Sequence, residues 1–396
     1  MKAPRAALLA GLFLAALSLR PQLVGVGPLL PRIQSDLGVS HALAGLLGTI
    51  PVLCMGLFAP PAPFLSARIG SRAAIAGSVA LIGAAGIARA FVPGVALVIL
   101  LTLPVGIGMG LAGALMPVAV KERFPHRPAF ATGIYATGIN CGAAASSAIG
   151  VPLATATWGW RGALFVFSAF AAVLPLLWLV ATSREAPHRR VPARPPRLPW
   201  RSPLAWRLVG IFFLMSTIYY GVNSWLPDAF QEHGWSEGRA AALLAVVNTT
   251  QLVSSLAVPW LSDRHGSRRL YLLAGASQLL LALAGMVLFP GAGWFLAVAV
   301  GLPLGALFPL IMTLPLDIAR RPAEVGAIAG MMLGVGYSVS SVSPFLLGVV
   351  RDATGSFTGA LWLLVAAAAG LLAGCAAMSH ERLSGGVTGE RAAPAA

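Results

Sequence analysis

Long apolar stretches alternate with short polar segments along the whole chain. The stretch 361–372, for example, is apolar on every helical face and leaves no polar side to turn to water. A helix needs about 20 apolar residues to cross a bilayer. The pattern predicts twelve such spans, near 6–30, 41–62, 73–92, 95–120, 129–155, 162–182, 207–227, 239–260, 270–289, 293–316, 325–350 and 358–378. The strands of a membrane barrel would instead alternate apolar and polar residues over about 10 positions. The expectation is therefore an all-α integral membrane protein. Lys2 and Arg5 ahead of 6–17 resemble a signal peptide. The apolar pattern resumes beyond Arg20, at 23–30, so the segment reads as a retained first span.

Composition supports this picture. Hydrophobic residues make up 58% of the chain and charged residues only 10%, against roughly 25% charged in soluble domains. The net charge of +15 would raise the question of nucleic acid if the bases were scattered. They are not. Arg32, Arg161, Arg239 and Arg351 fall on one side of the spans, Arg20 and Arg89 inside them, and every other Lys and Arg on the opposite side. The positive-inside rule makes that richer side cytoplasmic, with both termini there. The charge reflects topology and anionic lipid, and no nucleic-acid partner is expected. Cys54, Cys141 and Cys375 lie in apolar runs and read as small buried hydrophobes.

The Arg-rich stretch 184–201 contains five prolines and reads as an extended linker. It divides the chain into an N-terminal six-helix half (1–182), a basic linker (183–206), a C-terminal six-helix half (207–378) and a disordered tail (379–396). The halves repeat. At an offset of 196, Pro63, Ser66, Arg68, Gly70, Ser71 and Arg72 lie over Pro259, Ser262, Arg264, Gly266, Ser267 and Arg268. The same offset pairs Gly25 with Gly221, Pro31 with Pro227, Gly38 with Gly234 and Ser40 with Ser236. Parallel repeats of this kind surround a substrate site near the bilayer midplane, at the interface of the halves.

Two six-helix halves, a basic central loop and the run Asp263, Arg264, His265, Gly266, Ser267, Arg268, Arg269 resemble the major facilitator superfamily. The first copy of that loop departs from the pattern, with Ala67 in place of the acid. The resemblance implies gating roles for Arg68, Gly70, Arg72, Asp263, Arg264, Gly266 and Arg268. A narrower resemblance, to the cyanate permease and nitroimidazole transporter branch, rests on Arg20-Pro21-Gln22 running into Val26-Gly27-Pro28-Leu29-Leu30-Pro31. It also rests on Met116-Pro117 through Phe124, on Trp225-Leu226-Pro227 and on Gly305-Ala306-Leu307-Phe308-Pro309. It implies a bacterial inner-membrane permease for a small anionic or polar solute, cyanate-like, working as a monomer in the lipid bilayer.

Arg20 is the most informative residue. The apolar run before it is too short to span, so the helix is expected to continue past it and to carry the guanidinium into the membrane. Burying that charge costs about 2.5–3.5 kcal/mol on insertion scales. No Asp or Glu lies in a span core to offset it. A planar fork suits two oxygens of an anion, which makes Arg20 the expected substrate ligand. The alternative is that it bonds carbonyls freed by Pro21. Arg89, near the end of its span, is expected to snorkel outward and to form a positive vestibule.

At the repeat offset Arg20 corresponds to Ser216, so charge comes from the first half only. The second half offers Tyr219, Tyr220, Asn223, Trp225, Asn248, Gln251, Tyr337 and Ser338. Gln22, Asn140, Tyr219, Asn223, Trp225, Gln251 and Tyr337 join Arg20 as the expected binding set, Asn223, Trp225 and Gln251 with support from the branch resemblance. Each could equally bridge helices.

Gly108–Gly113 fits GxGxxG, yet no strand precedes it, so the glycines are expected to serve close helix packing. Prolines inside the spans are candidate bending points for alternating access. The histidines all lie in loops or at span edges, so no proton carrier is evident. There is no HExxH, no GxSxG, no Cys/His metal cluster and no intramembrane carboxylate pair, which excludes the usual hydrolase and metalloenzyme constellations and any cofactor motif. Export of a nitroimidazole-like compound and a non-transporting membrane sensor remain as alternatives.

Overall fold

The computed structural model describes residues 5–124, 128–183, 198–265, 267–318 and 322–378. Among these, every regular element is helical. The first half comprises α1 (Arg5–Leu17), a 3-10 segment (Val24–Leu29), α2 (Leu30–Leu37), α3 (His41–Phe58), α4 (Ala62–Ile69), α5 (Ser71–Phe91), α6 (Val95–Arg123), α7 (Pro128–Ala156) and α8 (Trp160–Ala181). The second comprises α9 (Pro203–Glu232), α10 (Glu237–His265), α11 (Arg268–Leu288), α12 (Gly293–Ile318), α13 (Pro322–Ser340), α14 (Val342–Thr354) and α15 (Phe357–Ala376). α9 begins inside the stretch expected as linker, and the expected tail lies outside the described residues. The helices are packed as two six-span halves. Large apolar side chains such as Val180, Leu281 and Phe295 point outward, as lipid-facing positions do.

Eleven of the spans, counting α13 with α14, are long and apolar enough to cross a membrane as helices. The first is different. A helix continuing past Arg20 was expected; instead α1 stops at Leu17 and the chain turns through 18–23. Pro21 is the physical reason. It has no N–H to give, and its ring would meet the carbonyl of Leu17 in an unbroken helix. The backbone refolds locally, so that the N–H groups of Leu23 and Val24 both donate to the Arg20 carbonyl, at 3.0 and 2.8 Å. The 3-10 segment and α2 complete the crossing. In the second half, α9 runs unbroken through the equivalent stretch, with Thr217 where the first half has Pro21.

The reverse asymmetry occurs at the fifth span of each half. α7 is continuous. Its counterpart is split into α13 and α14 at Ser341, three residues before Pro344, where the first half has Ala148. Elsewhere the repeat is faithful. Gly38 and Gly234 end their helices at φ +61° and +80°, a region that suits glycine. Ser40 Oγ accepts from Leu43 N at 3.2 Å, and Ser236 Oγ accepts from Arg239 N at 3.4 Å.

The glycines of α6 fulfil the packing expectation at three positions: Gly106 and Gly110 lie against α3 and Gly108 against α5, each with room for no side chain.

The bundle has two ends. The linker end holds the end of α8, the start of α9 and the α4–α5 and α10–α11 connections. The far end holds the turns after α2, α5, α7, α9, α11 and α14. The two halves are joined closely toward the far end. Arg32 Nε and an Nη of the first half donate to the two oxygens of Glu237 at 2.5 and 2.7 Å. α3 packs on α14 so closely that a Cβ on Gly45 would meet the Pro344 carbonyl and one on Gly348 the His41 carbonyl. At Gly27 the backbone passes directly over the Asn223 carbonyl. These two residues are equivalents in the repeat, so the contact lies on the pseudo-twofold axis.

Candidate functional site

The break after α1 exposes one side of Arg20 to the interface between the halves. Its guanidinium donates to Tyr220 Oη at 3.4 Å and lies 5.3 Å from the ring centre of Tyr219. Tyr219 and Tyr220 stand edge to face, 5.0 Å apart, on α9. Tyr337 of α13 lies 6.1 Å from Tyr220 and packs on Phe212 at 4.8 Å. Tyr220 Oη also lies 3.8 Å from Met55 Sδ of α3. A cation of the first half is thus set against three phenols of the second. Arg20 and Tyr219 are partly exposed, while Tyr220 and Tyr337 are buried behind them. Among the described residues no carboxylate is paired with Arg20, and its side chain makes no bond to the carbonyls near Pro21. Of the expected binding set, Arg20, Tyr219 and Tyr337 are brought together here. Tyr220, an uncharged donor in the sequence but not in the expected binding set, is its central member.

Other expected residues are placed elsewhere. Asn223 donates to the Tyr219 carbonyl at 2.8 Å and accepts from Asn248 at 3.1 Å. Gln251 donates to Asn248 at 3.4 Å, and Asn248 approaches Ser147 of α7 at 3.5 Å. This chain of amides links α9, α10 and α7. Asn140 makes a separate bridge between α7 and α10, donating to Ser255 at 3.0 Å. Asn140 stays partly exposed and keeps its amide oxygen available.

Gln22 and Trp225 do not join Arg20. Gln22 is fully buried in the first half: its amide nitrogen donates to Ser168 at 2.9 Å and its oxygen accepts from Arg89 at 2.7 Å. Trp225 donates to the Pro344 carbonyl at 2.7 Å and packs against His41 and Phe357, which places it in the far-end contact.

Arg89 requires a correction. It was expected to snorkel to the interface and form a vestibule, yet it has no exposed surface. Its guanidinium donates to Gln22 and, at 3.2 Å, to Thr102 of α6. Neutral oxygens and close packing hold it below the surface, and it positions the chain two residues after Arg20.

The loop residues make mainly contacts within their own half. Arg72 donates to Thr182 and to the Leu179 carbonyl, each at 2.9 Å, tying α5 to α8. Arg268 donates to Thr313 of α12 at 2.6 Å. Arg269 mirrors the α5–α8 tie by reaching the Ala376 carbonyl of α15 at 3.4 Å. Arg68 is exposed, and Gly70 turns between α4 and α5 at φ +84°. Arg264 lies over the Trp260 ring at 5.6 Å. Gly266 and the Asp263 side chain lie outside the described residues. Where the first copy of the loop lacks its acid, Glu122 of α6 supplies a carboxylate to Ser71 at the start of α5, and Arg123 joins them at 2.9 Å from Ser71.

Duplicated six-span halves, enclosing a polar site between broken helices, define a membrane transporter. Residues 8–344 match the model of the Major Facilitator Superfamily, and the chain belongs to that family. It is 31% identical to the 2-nitroimidazole transporter of Escherichia coli (strain K12), over 89% of this chain and 90% of that protein. It is also 31% identical to the cyanate transport protein of the same organism, over 87% of this chain and 90% of that one. Among solved structures, a bacterial homologue of the human lysosomal transporter Spinster, inward-facing and unoccupied, has the same fold, with a TM-score of 0.76 at 16% identity over 95% of this chain and 98% of that one. The chain is thus a transporter of small solutes, a multi-pass membrane protein and not an enzyme.

Proposed function

We propose that this protein moves a small anionic or polar solute, cyanate-like, by alternating access around Arg20, with the linker end and both termini in the cytoplasm of a bacterial cell and the far end outside. A single chain holds both halves and works as a monomer. The observation that carries the reading is the partly exposed guanidinium, without a carboxylate partner among the described residues, facing three phenols of the other half. An anion with two oxygens would complete the fork of Arg20 and accept from the partly exposed Tyr219, bonding the halves to each other through itself. Solute occupancy then favours closure around the site, which is the differential affinity that alternating access requires. Asn140, partly exposed on α7, is a further ligand from the first half. The similarity to a cyanate transport protein supports an anion of this size.

A second reading is export of a flat nitroheteroaromatic. The rings of Tyr219, Tyr220, Tyr337 and Phe212 beside Arg20 favour it, because a nitro group offers the same two oxygens and the rings would stack on the heterocycle. The similarity to a 2-nitroimidazole transporter supports that chemistry.

Proteoliposomes test both readings. Cyanate, nitrate and 2-nitroimidazole are supplied as labelled solutes to the wild type and to Arg20→Ala. Uptake of an anion that Arg20→Ala lowers at least ~10-fold supports the first reading. Movement of 2-nitroimidazole alone selects the second. Equal flux in the variant would sink both, and absence of flux with every solute that binds would favour a sensor.

A further inference from the structure

The far-end contact contains a group of titratable side chains that the sequence scatters. His41 begins α3 in the first half. Its Nδ1 lies 2.8 Å from Asp352 Oδ1 of α14, and its Nε2 lies 3.6 Å from Asp228 Oδ2 of α9. The imidazole is thus inserted between two carboxylates of the other half. Trp225 and Phe357 close over it at 5.6 and 5.5 Å between ring centres.

The two carboxylates are not equivalent. Asp352 also accepts from the backbone N–H groups of His41 and Ala42, at 3.1 and 2.8 Å. Those bonds cap the start of α3 and hold Asp352 as an anion. Asp228 is 9% exposed, and its Oδ2 has no hydrogen-bond partner although it faces the imidazole. The nearby cation, Arg351 of α14, is bound at 2.6 Å to Glu232 of α9. Among the described residues, Asp228 and Glu232 on α9 and Asp352 and Arg351 on α14 are the charged groups around His41; α15 contributes the Phe357 ring and the Phe357 N–H, which donates to Glu232 at 2.9 Å. With a neutral imidazole, this group would hold three carboxylates against one guanidinium.

A buried carboxylate without a cation or a proton is strongly disfavoured. We propose that His41, Asp228 and Asp352 form a proton-binding site that is occupied when the far end is closed and emptied when it opens. The proton resides on His41, between the carboxylates, or on Asp228. Either arrangement removes the uncompensated charge. When the halves part, His41 leaves both acids and water solvates all three groups, so the requirement for the proton ends. Proton binding and far-end closure are therefore linked, and each favours the other. The sign follows directly: the closed form binds one proton more, so acid closes the far end and alkali opens it. The site adds a proton to the alternating-access reading but uses neither Arg20 nor a solute, so the two can fail separately.

Spin labels at Ser35→Cys on α2 and Gly238→Cys on α10 report the far-end distance by pulsed electron resonance, with the native cysteines replaced by alanine and no solute present. In the wild-type site the ratio of short to long distances should rise as pH falls from 8 to 5, by up to about tenfold per pH unit for one proton. Asp228→Asn removes the buried charge and should leave the far end closed across the whole range. His41→Gln should open it at pH values where the wild type is closed, with closure returning only at lower pH. Arg20→Ala should leave the response intact. A wild-type ratio that does not change with pH, or an unaltered response in Asp228→Asn, would overturn the proposal.

Discussion

The first span of each half shows what a duplicated unit can gain by diverging. In the second half, α9 crosses as one helix of 30 residues. In the first, the same stretch is broken between α1 and α2, with Arg20 at the break. The helix satisfies its own backbone and offers side chains at fixed angles, which suits the Tyr219, Tyr220 and Asn223 set. The break releases the chain from that geometry and lets an arginine reach across the interface to those tyrosines. One half supplies the charge and the other the frame that receives it. At the fifth span the roles reverse, with α13 and α14 broken and α7 whole. Breaks in diagonal positions keep a partly polar interface from being two copies of one rigid surface.

Substitutions that erase this difference should have graded effects. The largest is expected at Arg20. Its charge-assisted bonds to a solute are worth roughly 1.5–3 kcal/mol, so Arg20→Ala should lower uptake about 10- to 100-fold while the protein still inserts. Arg20→Lys, which keeps the charge but loses the fork, should fall between them, as labelled-solute flux would show. Making the second half resemble the first is the converse change. Thr217→Pro puts the breaking residue of the first half into α9 and should cost about 3 kcal/mol, read as a lower unfolding temperature in detergent. An unchanged melting temperature would mean that α9 tolerates the break and that the asymmetry is not encoded by Pro21.

The axial contact comes next. Gly27→Ala directs a Cβ at the Asn223 carbonyl, backbone that cannot turn aside. The expected cost is about 1–3 kcal/mol of far-end closure, visible as longer distances between the spin-label pair at Ser35 and Gly238. Asn223→Ala leaves that carbonyl in place and should be milder, touching only the amide chain to Asn248. The smallest effect belongs to Tyr220→Phe. A long hydrogen bond of 3.4 Å to Arg20 should contribute no more than about 1 kcal/mol, a several-fold rise in half-saturating solute concentration with little change in maximal flux. A larger loss would show that the phenol contacts the solute itself.

Much of the architecture was legible in the chain because lipid imposes a one-dimensional rule. Each crossing must be long and apolar, and the bases sort to one side. The repeat at Gly38 and Gly234, and at Ser40 and Ser236, appeared in the sequence and again in the helix ends. Arg20 was legible for the same reason, as a charge in a span without an acid. Its phenolic partners were legible as residue types but not as neighbours, because hydropathy does not specify which face of α9 meets the break. Arg89 looked like an interface residue by its place near a helix end. Its burial depends on Gln22 and Thr102, which come from two other elements.

By itself the sequence determined a twelve-span, duplicated membrane protein with a single half carrying the intramembrane charge, because apolar length, base distribution and repeat spacing are all properties of order along a chain. Only the tertiary structure decided what that charge faces, and which distant groups close the far end. His41 and Asp352 are 311 residues apart, and neither is unusual where it stands. Their proximity, with Asp228 buried beside them, comes from packing α3 between α9 and α14. Electrostatic coupling depends on distance through space and on the exclusion of water, and both are fixed only when the halves meet.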